Sequence, residues 1–147
     1  MMMRFILICL ISATFLFSCD VRRKDKVADD AMQKMEQALK DTTTVEIIDR
    51  AYNFGSITEG DKVEYNFRFK NTGTKPLIIT SASASCGCTV PEKPEKPVMP
   101  GETSFIKVVF NSKGKSGHQD KSIIVSSNAK PPFPDLMLTG QVKQVAQ

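Results

Sequence analysis

The sequence predicts an all-β protein. An immunoglobulin-like antiparallel β-sandwich of about seven strands fills 45–147, after a signal peptide at 1–18 and a lipidated, polar and part-helical tether at 19–44. Three observations carry this reading. From Val45 onward the apolar residues recur at every second position, the period of a strand with one buried face. Turn-forming residues interrupt that pattern at short intervals, and no helical periodicity replaces it. The 147 residues are 41% hydrophobic and 24% charged, about one globular domain, yet the apolar residues crowd into the first eighteen positions.

The N-terminus reads as an address. Arg4 supplies a positive start, and residues 5–17 carry no charge. A membrane-spanning helix needs about twenty apolar residues, so this run has the size of a signal-peptide core instead. Leu16-Phe17-Ser18-Cys19 follows, an aliphatic residue and then a small one just before cysteine. This resembles the lipobox of bacterial lipoproteins, and the resemblance implies cleavage before Cys19 and a covalent lipid on its thiol. The expected location is the bacterial cell envelope, lipid-anchored on an extracytoplasmic face, where disulfides persist.

Residues 20–44 are polar, with Arg22-Arg23-Lys24, Asp29-Asp30 and a threonine run. Val27, Ala31, Met35 and Leu39 recur every four residues, which predicts a short amphipathic helix inside the tether. As coil, the segment would span roughly 25–30 Å, enough to hold a small domain clear of a bilayer.

Val63, Tyr65, Phe67 and Phe69 alternate with Glu64, Asn66, Arg68 and Lys70, the strongest strand signal in the chain. Asn71-Thr72-Gly73 breaks it, and Pro76 opens the run Leu77-Ile78-Ile79. Met99-Pro100-Gly101-Glu102 predicts a tight turn, because proline presets the first central torsion and glycine accepts a positive φ at the second. Further strands are expected at 105–110, 121–125 and 136–142, separated by Asn111-Ser112-Lys113-Gly114 and a loop at 128–134. The predicted core is Phe54, Phe67, Phe69, Ile79, Ile106, Val108, Phe110, Ile123, Val125, Leu136 and Leu138.

Several function classes are excluded early. Twenty bases against sixteen acids is a mild excess, and no aromatic residues interleave with a basic stripe, so nucleic acid is not an expected partner. One histidine precludes a multi-histidine metal site. There is no phosphate-binding glycine loop, dinucleotide fingerprint, calcium loop or nucleophile elbow. The carboxylates are scattered, and no small-molecule substrate is implied.

With Cys9 removed and Cys19 lipidated, Cys86 and Cys88 are the remaining thiols, separated by Gly87. In an extended strand their Cα atoms would stand about 6.6–6.8 Å apart, at the edge of disulfide reach. A glycine between them allows the bend that closes the gap. Such a three-residue loop stabilises by only about 1.6 kcal/mol in the chain-entropy model. Four states remain open: an inert local disulfide, a redox-active pair beside Lys93 or Lys96, a soft-metal site for Cu(I) or Zn(II), and buried free thiols. The metal reading would draw on His118, Met99 or Met137 as further ligands. His118 itself lies in a turn-like stretch and reads as an exposed loop residue.

Tyr52-Asn53-Phe54-Gly55-Ser56-Ile57, Glu59-Gly60, Phe67-Arg68-Phe69-Lys70-Asn71-Thr72-Gly73, Ser85-Cys86-Gly87-Cys88-Thr89, Pro100-Gly101-Glu102, Gly117 and Leu138-Thr139-Gly140 occur in that order. This series resembles the bacterial domain-of-unknown-function family fifteen-seventy-three, secreted or lipidated proteins similar in turn to the major-sperm-protein and Hydin-type immunoglobulin-like domains. The likeness covers about residues 45–143. It implies a fold and a location and brings no established activity. Asn53 stands where the family usually has aspartate, and Tyr65 where histidine is frequent, so no metal role is carried to that position.

Two functions follow. The first is a membrane-tethered, non-enzymatic module that binds an envelope protein through edge strands and end loops, with no cofactor beyond the lipid. Its candidate surface includes Lys93, Pro94, Glu95 and Lys96, in a proline- and lysine-rich stretch that is stiff and polar by composition. The 128–134 loop is the other candidate. The second function is thiol-redox or soft-metal chemistry at Cys86 and Cys88. Binding ranks first, because one adjacent cysteine pair on a sandwich offers no evident substrate pocket.

Overall fold

The alternating segments become eight strands: β1 (Val45–Ile47), β2 (Ala51–Thr58), β3 (Lys62–Asn71), β4 (Ile79–Ala84), β5 (Thr89–Glu92), β6 (Thr103–Asn111), β7 (Gly117–Ser127) and β8 (Leu136–Lys143). The computed structural model describes residues 29, 30, 32–34, 36, 37 and 40–144. The signal peptide and Cys19 lie outside the described residues. The described tether residues 29, 30, 32–34, 36, 37 and 40 are helical, and Val27, Ala31, Met35 and Leu39, which carry the four-residue repeat, lie outside the described residues. Among the described residues no helix is long and apolar enough to cross a membrane.

Two four-stranded sheets form, in the orders β1-β3-β6-β5 and β2-β8-β7-β4. Together they make the immunoglobulin-like sandwich predicted. One pair departs from the antiparallel expectation: β2 runs parallel to β8, with Ala51 opposite Met137 and Thr58 opposite Lys143. The other addition is β5, a four-residue edge strand that pairs with β6 between the cysteines and the Lys93-Pro94-Glu95-Lys96 stretch. His118 likewise belongs to strand β7, opposite Gln141, rather than to a turn.

Strand period places the core. Val63, Tyr65, Phe67 and Phe69 of β3 point inward together, and the register Phe67 to Ile106 brings the matching face of β6 beside them. Phe67, Phe69, Ile106, Val108 and Phe110 from this sheet meet Ile123, Val125, Leu136, Leu138 and Val142 from the other. Every residue of the predicted core is buried except Phe54, which is half-buried at its rim. Leu77, Val98, Ala129 and Phe133 join from outside the strands. Leu77 and Val98 exchange backbone hydrogen bonds of 2.9 Å, and Phe133 packs edge-on against Phe69 with ring centroids 5.2 Å apart. Three residues of the 128–134 loop, Asn128, Ala129 and Phe133, are therefore buried. Those three residues anchor the loop, while Lys130, Pro131 and Pro132 remain exposed.

Two buried asparagines hold the irregular segments. Asn71 donates from Nδ2 to the carbonyls of Lys75 (2.8 Å) and Val98 (2.9 Å), and its Oδ1 accepts from the Thr43 hydroxyl (2.9 Å) and the Gly73 amide (3.1 Å). Asn128 accepts from the Ile78 amide (2.8 Å) and donates to the carbonyls of Asp41 (2.8 Å) and Pro76 (3.0 Å). Residues just ahead of β1 are thus bonded to the sandwich, because buried backbone groups need partners that no ladder supplies there.

At the β1–β2 corner, Arg68 grips Asp49 with two side-chain bonds, Nε to Oδ2 (2.7 Å) and Nη2 to Oδ1 (3.1 Å). The guanidinium holds the Asp49 carboxyl below its usual value of 3.8, against an opposing push from burial. Beside it Tyr65 stacks on Tyr52 of the other sheet at 3.8 Å, and burial, then the Asp49 charge, raise its phenol above the usual range.

Candidate functional site

The Cys86–Cys88 segment is the crossing from one sheet to the other. Strand β4 ends against β7, where the Ser85 amide donates to the Ser122 carbonyl (3.0 Å) and the Ser122 amide donates to Ser85 Oγ (3.3 Å). Three residues later the Asn111 amide donates to the Cys88 carbonyl (2.9 Å), so β5 has already joined β6. The chain must turn within Cys86-Gly87-Cys88, and the Thr89 amide closes that turn on the Cys86 carbonyl (3.2 Å). The turn draws the two Cα atoms to 5.4 Å, inside disulfide range, and the two sulfurs are bonded. Gly87 does not reach a left-handed φ to do this, and a Cβ placed on it would meet nothing within 4 Å. Glycine's special freedom is therefore not what closes the loop.

In the disulfide neither sulfur is a thiolate, so the closed pair offers no soft-metal ligand. Among the described residues no three His, Cys, Asp or Glu side chains come together as a metal site. His118 is not gathered to the cysteines. Its Nε2 faces Asp120 Oδ2 at 3.2 Å, two residues along the same strand face, and its side chain is exposed.

The register fixes which side chains share the outer face of the β3-β6-β5 sheet. Val90 lies opposite Val109, and Glu92 opposite Lys107. Lys62 lies opposite Asn111, and Arg68 opposite Phe105. Two shallow clefts open on this face. One, of about 540 Å³, is walled by Cys88, Val90 and Val109 together with Lys62, Lys113 and Lys115. The other, of about 270 Å³, is formed by Lys93 and Pro94 over Phe105 and Lys107. Between them Lys107 reaches Glu64 at 3.3 Å and Glu92 at 4.0 Å. Val90 and Phe105 remain about half exposed, at 56% and 48%. Lys93 and Pro94 of the predicted binding stretch thus line a cleft, while Glu95 and Lys96 are exposed beyond it. Phe105, Lys62, Lys113 and Lys115 were missed in the sequence, where Phe105 reads as one more strand aromatic and the lysines as scattered solvated charge.

The edge of β5 is closed to strand addition. Because Cys88 bonds Asn111, the alternate residues Thr89 and Pro91 turn their backbone groups away from β6. Thr89 spends its amide on Cys86, and Pro91 has none.

Fold and site together define a non-repetitive immunoglobulin-like module with a disulfide-closed sheet crossing. The chain belongs to the family described as "Protein of unknown function (DUF1573)", whose model matches residues 45–142. Among curated proteins no sequence relative matches it. Solved structures share the fold at low identity. A protein of unknown function from Porphyromonas gingivalis W83 is similar with a TM-score of 0.59 and 14% identity, covering 70% of this chain and 48% of that one. The ASH/PapD-like domain 7 of human CEP192 is similar at 0.54 and 15%, covering 71% and 88%. The secreted serine protease VesC of Vibrio cholerae is similar at 0.53 and 12%, covering 78% of this chain and 25% of that one. The chain spans about half the length of the first of these and a quarter of the last.

Proposed function

We propose that this protein is a lipid-anchored, non-enzymatic binding module of the bacterial envelope, which docks a protein partner on the outer face of the β3-β6-β5 sheet. The observation that carries the docking face is the pair of exposed apolar residues Val90 and Phe105, flanking the Glu64–Lys107–Glu92 ion cluster and bordered by Pro94. An interface core needs a few apolar anchors with polar groups between and around them, and this face has that composition. Face docking also agrees with a β5 edge that Pro91 closes to an incoming strand. The anchor reading rests on the Leu16-Phe17-Ser18-Cys19 box, and the tether would give the module reach from the bilayer.

Each half has its own test. Metabolic labelling with a radioactive fatty acid should mark the parent and leave Cys19→Ala unlabelled, and equal labelling of both would remove the anchor. For docking, a photo-crosslinker beside Phe105 should capture a defined envelope protein. That adduct should be lost in Phe105→Lys and Val90→Lys chains that melt with the parent. Adducts that persist in both variants would remove this face as the docking surface.

A further inference from the structure

We infer that the Cys86–Cys88 disulfide is a thiol-exchange site selective for anionic thiols, with the Cys88 sulfur as the atom attacked. This inference is independent of the docking reading and stands on the cleft geometry alone. Cys88 forms part of the wall of the larger cleft, whereas Cys86 does not. An incoming thiol therefore meets Cys88 first, and attack must run along the S–S axis with the distal sulfur leaving.

Three ammonium groups, Lys62, Lys113 and Lys115, converge on the same cleft, and no carboxylate lines it. The nearest carboxylates along the chain are engaged elsewhere: Asp61 accepts from the Thr58 amide at 2.8 Å, Glu59 accepts from the Gly114 amide at 3.0 Å, and Glu64 holds Lys107 at 3.3 Å. The neighbouring Lys107, by contrast, is paired with Glu64 and Glu92. The cleft thus gathers three ammonium groups and no lining carboxylate beside the half-buried Cys88. Such a field raises the local concentration of an anionic reactant and favours thiolate over thiol.

The step balances without any further reagent than the thiol. A thiolate R–S⁻ forms a bond to Cys88 Sγ as the Cys86–Cys88 bond breaks, and Cys86 departs with the electron pair. Thr89 is placed to receive it, since its hydroxyl lies 3.7 Å from Cys86 Sγ and can donate to the new thiolate. A second R–S⁻ then attacks its own kind in the mixed disulfide and releases Cys88 as thiolate. Two thiols are oxidised to R–S–S–R, the protein disulfide gains two electrons, and the protons follow the two cysteines.

The test uses the full chain, oxidised, in neutral detergent, with 3-mercaptopropionate and cysteamine as probes of equal length and opposite charge. Each reduction rate is divided by the same thiol's rate with neutral 2-hydroxyethyl disulfide, which removes differences in intrinsic nucleophilicity. At low ionic strength the anionic thiol should be favoured by about tenfold. The preference should collapse in about 1 M salt, where the screening length falls to about 3 Å. The Lys62→Gln, Lys113→Gln, Lys115→Gln chain should show a ratio near one. Alkylation during partial reduction should place the label on Cys86 and the probe on Cys88. A normalised ratio of one in the parent at low salt overturns the proposal without recourse to any variant. So does a preference that survives the triple substitution, or a label found on Cys88.

Discussion

The Phe54 ring lies flat against Gly140, in the space that a side chain on Gly140 would need. The two residues sit on β2 and β8, the strands that pair in parallel, in a stretch where Asn53 stands opposite Thr139. Strand β8 turns Leu136, Leu138 and Val142 into the core, and Gly140 occupies the fourth place on that face. A glycine there leaves a slot, and Phe54 fills it while stacking on Phe110 with centroids 5.6 Å apart. Gly140→Ala should therefore destabilise the fold by about 1–3 kcal/mol, the cost of an overpacked core. The same change in a Phe54→Ala background should cost far less, because the obstructing ring is gone. Urea unfolding of the four chains measures that coupling, and additive costs would refute the contact.

Asn71 gives a second stability prediction. Its amide serves four partners at once, and it is fully buried. Asn71→Ala takes their partner from the Lys75 carbonyl and the Thr43 hydroxyl, whereas the Val98 carbonyl keeps the Leu77 amide and the Gly73 amide keeps the Thr44 carbonyl. At about 1–3 kcal/mol for each of the two groups left unsatisfied, the loss should be about 2–6 kcal/mol, toward the lower end where water reaches them. Asn71→Asp should also destabilise, since a carboxylate cannot donate to the Lys75 and Val98 carbonyls. A drop below about 1 kcal/mol in the alanine chain would mean the segment re-pairs its own backbone.

The contrast between these asparagines and the strands marks what a sequence can tell. Val63, Tyr65, Phe67 and Phe69 announce their strand because burial on one face writes a period into the chain, and the core follows from that period. Asn71 reads as a strand breaker, and β3 ends on it, yet its burial is set by partners that include Val98 and Thr43, both distant in sequence. The parallel β2–β8 pair joins residues more than eighty positions apart and leaves no local mark. Strand β5 is hidden for another reason: its four residues carry Pro91, and proline argues against a strand except at an edge. At the site, the Cys86–Gly87–Cys88 spacing shows that a disulfide is within reach. The lysines around it come from β3 and from the β6–β7 turn, and only the register brings them there.

Gly87 supplies a prediction of indifference. Its backbone lies outside the left-handed region and a Cβ would point into open space. Gly87→Ala should therefore keep the disulfide closed and change stability by less than about 0.5 kcal/mol, as surface substitutions do. Intact mass after iodoacetamide, with and without reductant, reports the bond, and thermal unfolding reports the stability. Labelling of the unreduced alanine chain would show that glycine is needed to close the turn after all.

Asp49 makes part of the stability depend on acid. Arg68 hydrogen bonds favour the charged carboxyl, so its folded-state pKa lies below the 3.8 of an unperturbed aspartate. The unfolded chain then binds the proton more readily than the folded one, and protonation favours unfolding. The contribution is complete above the unfolded value and is lost as pH falls through the lower folded value. Asp49→Asn removes the charge and with it this acid-sensitive component. The parent should be the more stable chain at neutral pH, and the gap should narrow as the pH falls below the unfolded value and through the lowered folded one. Urea midpoints of the two chains across that range provide the comparison. A gap of constant size would assign the difference to the shape of the side chain rather than to its ionisation, and Arg68 would then be holding Asp49 by geometry alone.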